Sequence, residues 1–249
     1  MYVNTTGLIL RETAYKDSSK ILTVLTSGEG KLTVSARGAL RKNSRLTAVT
    51  QLLTFSEMTL FSNRDRWTLT EAHSLEQFTG LRSELSLLAL GAYFAELTEA
   101  AADEDSPTPE LLSLCLNALY AMSERLKTPD YIKPAFELRL MSLCGYAPLI
   151  THCSVCGIEQ SKRYAIDIDG GVIYCETCSP PGNLMMSYGA LSAARYILSC
   201  DNKKLFSFKL EAKSLSELNK VTERYLLTRF ERNFRTLDFL KSINYSQRD

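Results

Sequence analysis

Seven cysteines are spread along the 249 residues, and four of them form the strongest chemical pattern in the chain. Cys153-Ser-Val-Cys156 is followed, eighteen residues later, by Cys175-Glu-Thr-Cys178. A Cys-x-x-Cys pair on a tight turn offers two thiolates to one ion, so two pairs at this separation match the spacing of a tetrahedral zinc site. Between them, Tyr164-Ala-Ile-Asp-Ile-Asp-Gly-Gly-Val-Ile-Tyr174 reads as two short strands around Gly170-Gly171, a hairpin that would bring the pairs together. A redox dithiol needs only one pair, and buried structural cysteines have no reason to repeat the spacing. Four thiolates fill the shell of Zn2+ and leave no position for substrate, so the expectation is one structural ion that folds a small module. Cys115, Cys144 and Cys200 fall on helical faces as small core residues.

The second pattern is cationic. Residues 31–45 hold Lys31, Arg37, Arg41, Lys42 and Arg45 with no acid among them, and Arg64 and Arg66 flank a later turn. Cations beside aromatic rings suit a single nucleic-acid strand, and Trp67 or Tyr15 could stack on its bases. A solvated loop is the competing reading of such a run. No recognition-helix motif points to sequence-specific reading.

The search for a catalyst turns up nothing that fits. Gly28-Glu-Gly-Lys31-Leu-Thr33 looks like a P-loop fragment, but position 25 is Leu and no strand-to-helix context surrounds it, so it is a hairpin turn. His73 and His152 are the only histidines, and neither stands in a His-Glu-x-x-His or His-x-Glu setting. Asp103, Glu104 and Asp105 sit in a loop where solvation accounts for them, and Asp17 and Glu57 are isolated. The expectation is a protein that is not an enzyme.

The elements that must position these residues follow from periodicity. Five β-branched runs at residues 3–11, 21–26, 31–37, 55–61 and 67–72 predict a small barrel of the oligonucleotide/oligosaccharide-binding (OB) type. In the third, Leu32, Val34 and Ala36 share one face and Lys31, Thr33, Ser35 and Arg37 the other. After residue 80 the period becomes helical. Helices are expected up to Ala102, from Pro109 with Thr108 as cap, from Pro134 to a stop at Gly145, after a cap at Ser187, and after a capping box at Ser214-Leu-Ser-Glu217. The fold class is thus α+β. An OB barrel spans residues 1–80, and a helical domain spans 81–249, interrupted at about 150–182 by the zinc module.

Charge is divided along the chain. The net charge is +1, yet residues 1–80 hold 10 Lys/Arg against 7 Asp/Glu, residues 81–194 hold 7 against 14, and residues 195–249 hold 12 against 7. Both ends are basic and the middle is acidic. Met1 to Leu10 has no secretory signature, and the most apolar later run carries Glu96 and Glu99, so neither export nor a membrane span is expected. Reduced thiols suit a cytoplasmic location.

Taken together, Gly7-Leu-Ile-Leu-Arg11, Asp17-Ser-Ser-Lys-Ile-Leu-Thr-Val-Leu-Thr26, Gly30-Lys31, Arg37-Gly-Ala39, Ala92-Tyr-Phe-Ala-Glu-Leu97, Glu137-Leu-Arg-Leu140 and Cys144-Gly-Tyr-Ala-Pro148, in this order and spacing, resemble the bacterial RecO family of recombination mediators. The zinc module and the closing helix at residues 225–240 also look like the family's, so the resemblance covers nearly the whole chain. It implies a non-enzymatic protein of the bacterial cytoplasm and nucleoid. Such a protein binds single- and double-stranded DNA, anneals complementary strands, and works with RecR to load recombinase onto DNA coated by single-strand-binding protein. The family captures that protein's acidic, hydrophobic-ended tail. Here the basic carboxyl-terminal region supplies Lys203, Lys204, Lys209, Lys213, Arg229, Arg232 and Arg235 as the candidate rim. The rival function is a zinc-ribbon adaptor that joins proteins without touching DNA.

Overall fold

Alternation along the first 76 residues becomes a closed barrel in the computed structural model, which describes residues 1–64 and 66–246. Its strands are β1 (Tyr2–Tyr15), β2 (Ser19–Thr26), β3 (Lys31–Ala36), β4 (Phe55–Asn63) and β5 (Arg66–Glu76), with the one-turn helix α1 (Leu46–Val49) between β3 and β4. The order around the barrel is β1-β2-β3-β5-β4, the OB arrangement. One long strand makes this possible: the first half of β1 pairs with β4 (Tyr2↔Phe61 to Leu8↔Phe55) and the second with β2 (Gly7↔Thr26 to Tyr15↔Ser19). A register shift between Ile9 and Arg11 bends the strand from one partner to the other. Closure comes from a short parallel pairing of β3 with β5, Val34↔Trp67 and Ser35↔Thr68. Ile9, Leu22, Val24, Leu32, Val34, Met58 and Leu60 fill the interior.

Beyond the barrel run α2 (Leu85–Ala101), α3 (Pro109–Ser123), α4 (Pro129–Leu143), β6 (Arg163–Asp167), β7 (Val172–Cys175), β8 (Leu184–Ser187), α5 (Tyr188–Ser199), α6 (Ala212–Phe230) and α7 (Arg235–Ser246). The described chain forms two compact units. The first joins residues 1–124 to those from 234 onward, so the barrel, α2, α3 and α7 belong together; the second is 125–233. No helix among the described residues is long and apolar enough to cross a membrane.

In the first unit α2 packs against α7, with the buried Tyr93 ring edge-on to Phe234 at 6.2 Å between centroids. Glu96, a charge inside an apolar helix, has a task there. Its carboxylate accepts the Thr236 amide at 3.0 Å and the Thr236 hydroxyl, which caps the amino end of α7. In the second unit α4 packs on α5 and α6. The fully buried Glu137 carboxylate takes a hydrogen bond from the Thr222 hydroxyl (2.7 Å) and faces the Lys133 ammonium (2.7 Å), which also reaches Glu223 at 2.9 Å. Burial works against the Lys133 charge, but the two carboxylates outweigh it and raise its pKa above the usual lysine value.

Three local expectations are corrected, two of them by contacts distant in sequence. The helix expected from Pro134 begins at Pro129 and runs through Pro134. Proline has no N–H for the Asp130 carbonyl, and the Asn219 side-chain amide from α6 supplies the missing donor at 2.8 Å. Thr108 occupies the N-cap position of α3, where its carbonyl accepts the Leu111 and Leu112 amides, but with ψ at 71° its hydroxyl is buried without a partner and makes no capping bond before Pro109. The Ser214–Glu217 capping box lies inside α6 and serves α5 instead. Glu217 accepts the Ser187 amide at 2.8 Å, and Ser214 shares a 2.8 Å hydrogen bond with the Ser187 hydroxyl. Ser187 itself caps α5 through the Ala190 amide, as the sequence suggests.

Candidate metal centre and nucleic-acid interface

The hairpin read between the two cysteine pairs is β6 and β7, registered from Tyr164↔Cys175 to Asp167↔Val172. Asp167 organises its turn by accepting the Asp169 and Gly170 amides at 3.0 Å, and Gly171, at φ +67°, turns the chain back. The first knuckle is laid beside β7 by the Ser154 amide, which donates to the Ile173 carbonyl at 2.9 Å. It closes on itself through Cys153 N–H to the Ile158 carbonyl and Gly157 N–H to the Cys153 carbonyl, both 2.9 Å. Gly157, at φ +75°, permits that closure.

These constraints gather the four sulfurs so that all lie within 4.8 Å of one another, with Cys156 Sγ and Cys175 Sγ 3.7 Å apart. Four sulfurs about 2.3 Å from one tetrahedral ion are separated by about 3.8 Å, close to the spacing of this cluster, so the four cysteines could hold a metal ion. The electrostatics of the thiols point the same way. Burial pushes the Cys153 thiol up, but the amides of Cys156, Cys175 and Val155 outweigh it and bring the pKa down to about 6. Hydrogen bonding to the sulfurs of Cys175 and Cys156, with some burial, holds Cys178 protonated up to about 12. Thiolates this close repel one another, and a bound cation removes the conflict. Of the other cysteines, Cys115 is fully buried in α3, while Cys144 and Cys200 are half-buried at helix ends.

The cationic residues do not all meet. A groove of about 710 Å³ on the outer face of β2, β3 and β5 is lined by Arg37, Arg41, Arg66 and Trp67, together with Tyr15, Lys16, Thr33, Ser35 and Thr68. The parallel β3–β5 pairing brings Trp67 and Arg66 beside the end of β3 that leads to Arg37. Gly38, at φ +71°, makes the turn that sets the Arg41 side chain over it. Among the described residues no carboxylate pairs with these arginines or with Lys16. Lys42, Arg45 and Arg64 are exposed but outside the lining. Lys31 is at the opposite end of β3, where its ammonium donates to the Glu99 carbonyl at 3.0 Å. Lys16 was not singled out by sequence; its place in the turn after Tyr15 was the available signal.

The carboxyl-terminal cations are also divided. Lys203, Lys204, Lys209 and Lys213 are exposed on and around the short turn Asn202–Lys204 and the start of α6. Arg229 is committed to the hairpin: it donates to the Ile168 carbonyl at 3.3 Å and the Asp169 carbonyl at 3.0 Å and lies over the Tyr225 ring. Arg232 follows α6, and Arg235 opens α7, in the other unit. His152 is exposed, and the exposed His73 meets Glu71 at 3.2 Å.

The fold and site therefore define a class: an OB-type barrel with a cationic, aromatic groove, followed by a helical region that carries a four-cysteine cluster able to hold a metal ion. Comparison with known proteins gives the same answer. The family model described as Recombination protein O N terminal matches residues 1–78, and Recombination protein O C terminal matches residues 82–238. The chain belongs to the RecO family of DNA repair proteins. It is 35% identical to the DNA repair protein RecO of Acetivibrio thermocellus over 98% of both chains. It is 32% identical to that of Symbiobacterium thermophilum, over 96% of this chain and 97% of the relative, and 30% identical to that of Bacillus pumilus, over 90% and 88%.

Proposed function

We propose that this chain mediates recombinational repair by binding and not by a covalent step. It holds single- and double-stranded DNA in the barrel groove, anneals complementary strands, and cooperates with RecR in loading recombinase onto DNA coated by single-strand-binding protein. It works in the bacterial cytoplasm. The observation that carries the reading is the convergence of Arg37, Arg41, Arg66 and Lys16 with Trp67 and Tyr15 in one open groove. Cations there meet phosphates whatever the sequence, and the rings offer faces to bases. The four cysteines hold one structural Zn2+, which stabilises the hairpin in place of a core too small to do so.

Titration of the purified protein with labelled single-stranded DNA, with and without magnesium and with product analysis, tests this. Salt-sensitive binding with unaltered DNA is expected. Failure to bind at low salt favours the adaptor reading, and a magnesium-dependent product would reveal an enzyme. Metal analysis should find one zinc per chain, reduced in Cys175→Ser. The tail of single-strand-binding protein, an acidic peptide, is assigned to the carboxyl-terminal cations, Lys203, Lys204, Lys209 and Lys213 foremost. A tail peptide should bind the full chain, weaken with salt, and ignore substitutions in the groove.

A further inference from the structure

Arg195 lies in α5, outside the segment that carries the four cysteines, yet its guanidinium reaches into that segment. Nε donates to the Ile150 carbonyl at 2.7 Å and Nη2 to the Thr151 carbonyl at 2.6 Å, with the Glu159 carbonyl 3.5 Å from the same nitrogen. Two of these carbonyls precede Cys153 and the third follows Cys156, so one side chain grips both ends of the first knuckle. Tyr164 meets the same point. Fully buried, with its ring centroid 6.0 Å from the Arg195 guanidinium, it donates its hydroxyl to the Glu159 carbonyl at 2.7 Å. Its backbone is registered against Cys175. Tyr164 therefore connects the exit of the first cysteine pair to the start of the second.

We propose that Arg195 and Tyr164 are positioning residues of the metal centre, fixing the first knuckle against β7 so that part of the affinity for the ion resides in α5. This rests on the reading that the four thiolates bind a divalent metal. Between positions 151 and 159 every residue except Cys153 is exposed, so beyond its backbone hydrogen bonds little side-chain packing holds this loop in place. Without an ion the loop must be ordered before its two sulfurs can bind together, and anchoring its ends removes part of that cost. The planar guanidinium fork holds carbonyls from both ends at once, which a lysine ammonium cannot match. Outer partners bonded directly to a ligand are worth about 10–100-fold in metal affinity, and Arg195 and Tyr164, one step further out on the Ile150, Thr151 and Glu159 carbonyls, fall at the lower end of that range.

The test uses the full chain and zinc itself, in competition with a chromogenic chelator. Arg195→Ala should bind zinc about tenfold more weakly, Arg195→Lys should recover only part of the loss, and Tyr164→Phe should show a smaller loss. At saturation with Co2+ all three should keep the thiolate charge-transfer band of the wild type, because the four ligands are intact. Tyr164→Phe, which removes one hydroxyl, carries the test if Arg195→Ala does not fold. If Arg195 only packs α5, zinc-loaded and zinc-free proteins will lose melting temperature equally while the competition curve stays put; that result overturns the proposal. A wild-type protein that takes up neither zinc nor cobalt removes the metal reading and this proposal with it.

Discussion

Replacing Arg37, Arg41 and Arg66 together by Ala, against a control that replaces Lys42 and Arg45, separates a groove from a diffuse basic patch. The triple variant removes three cations that line the groove, and the control removes two exposed cations that do not. Each lost contact to a single-strand phosphate lowers the slope of log affinity against log salt by about 0.7, so the triple should lose about 2 units of slope. At about 0.1 M salt that is roughly a hundredfold in affinity, or about 2.8 kcal/mol. The control should change the slope by less than one contact. Fluorescence anisotropy of a labelled oligothymidine, measured over a salt series, reads both quantities. A control that costs as much as the triple, or a triple with unaltered slope, would refute the groove as the path of the strand.

Other outcomes follow from single sites. Trp67→Ala should weaken single-strand binding by about 1–3 kcal/mol while leaving the salt slope unchanged, since stacking releases no counterions; a change in slope would contradict a stacking role. Zinc affinity should rise at least tenfold per pH unit around neutrality. Cys178, held up to about 12 in the metal-free cluster, is a thiol there and must lose its proton on binding. Chelator competition showing no pH dependence would refute this. Glu137→Ala should destabilise the protein by about 3 kcal/mol in urea unfolding, because it strips a buried carboxylate from Lys133 and Thr222; a loss under about 1 kcal/mol would show the pair is not structural. Gly30→Ala should cost at least about 2 kcal/mol, since Gly30 sits at φ +73° and a Cβ would meet the Ser106 amide nitrogen at 2.4 Å; wild-type stability would contradict the close approach.

Sequence was most informative where the cause of structure is local. The five barrel strands could be read because each is a short apolar, β-branched run bounded by turn residues, with strict alternation in β3, and the cysteine hairpin because glycine and thiol spacing act within about 25 residues. What escaped is non-local. The pairing of Val34 with Trp67 decides which arginines share the groove, and no periodicity encodes it. Lys31 belongs to the same basic run as Arg37, yet a strand of six residues separates them and gives Lys31 to Glu99. Pro134 signals a helix start unless Asn219, far along the chain, supplies the hydrogen bond that proline lacks. Nothing local in the sequence marks Arg195, because its three carbonyl partners lie 36 to 45 positions away.

The pairing of α2 with α7 has a temporal consequence. On the ribosome roughly 130 residues separate the end of α2 from α7, which at about 5–20 residues per second is a wait of roughly 7 to 25 seconds. Throughout it, the edge of Tyr93 that meets Phe234 stays uncovered, as does the Glu96 carboxylate that later caps α7. The nascent first unit is therefore a sticky intermediate whose partner helix is still being made, and a holdase chaperone that masks α2 would have a defined interval in which to act.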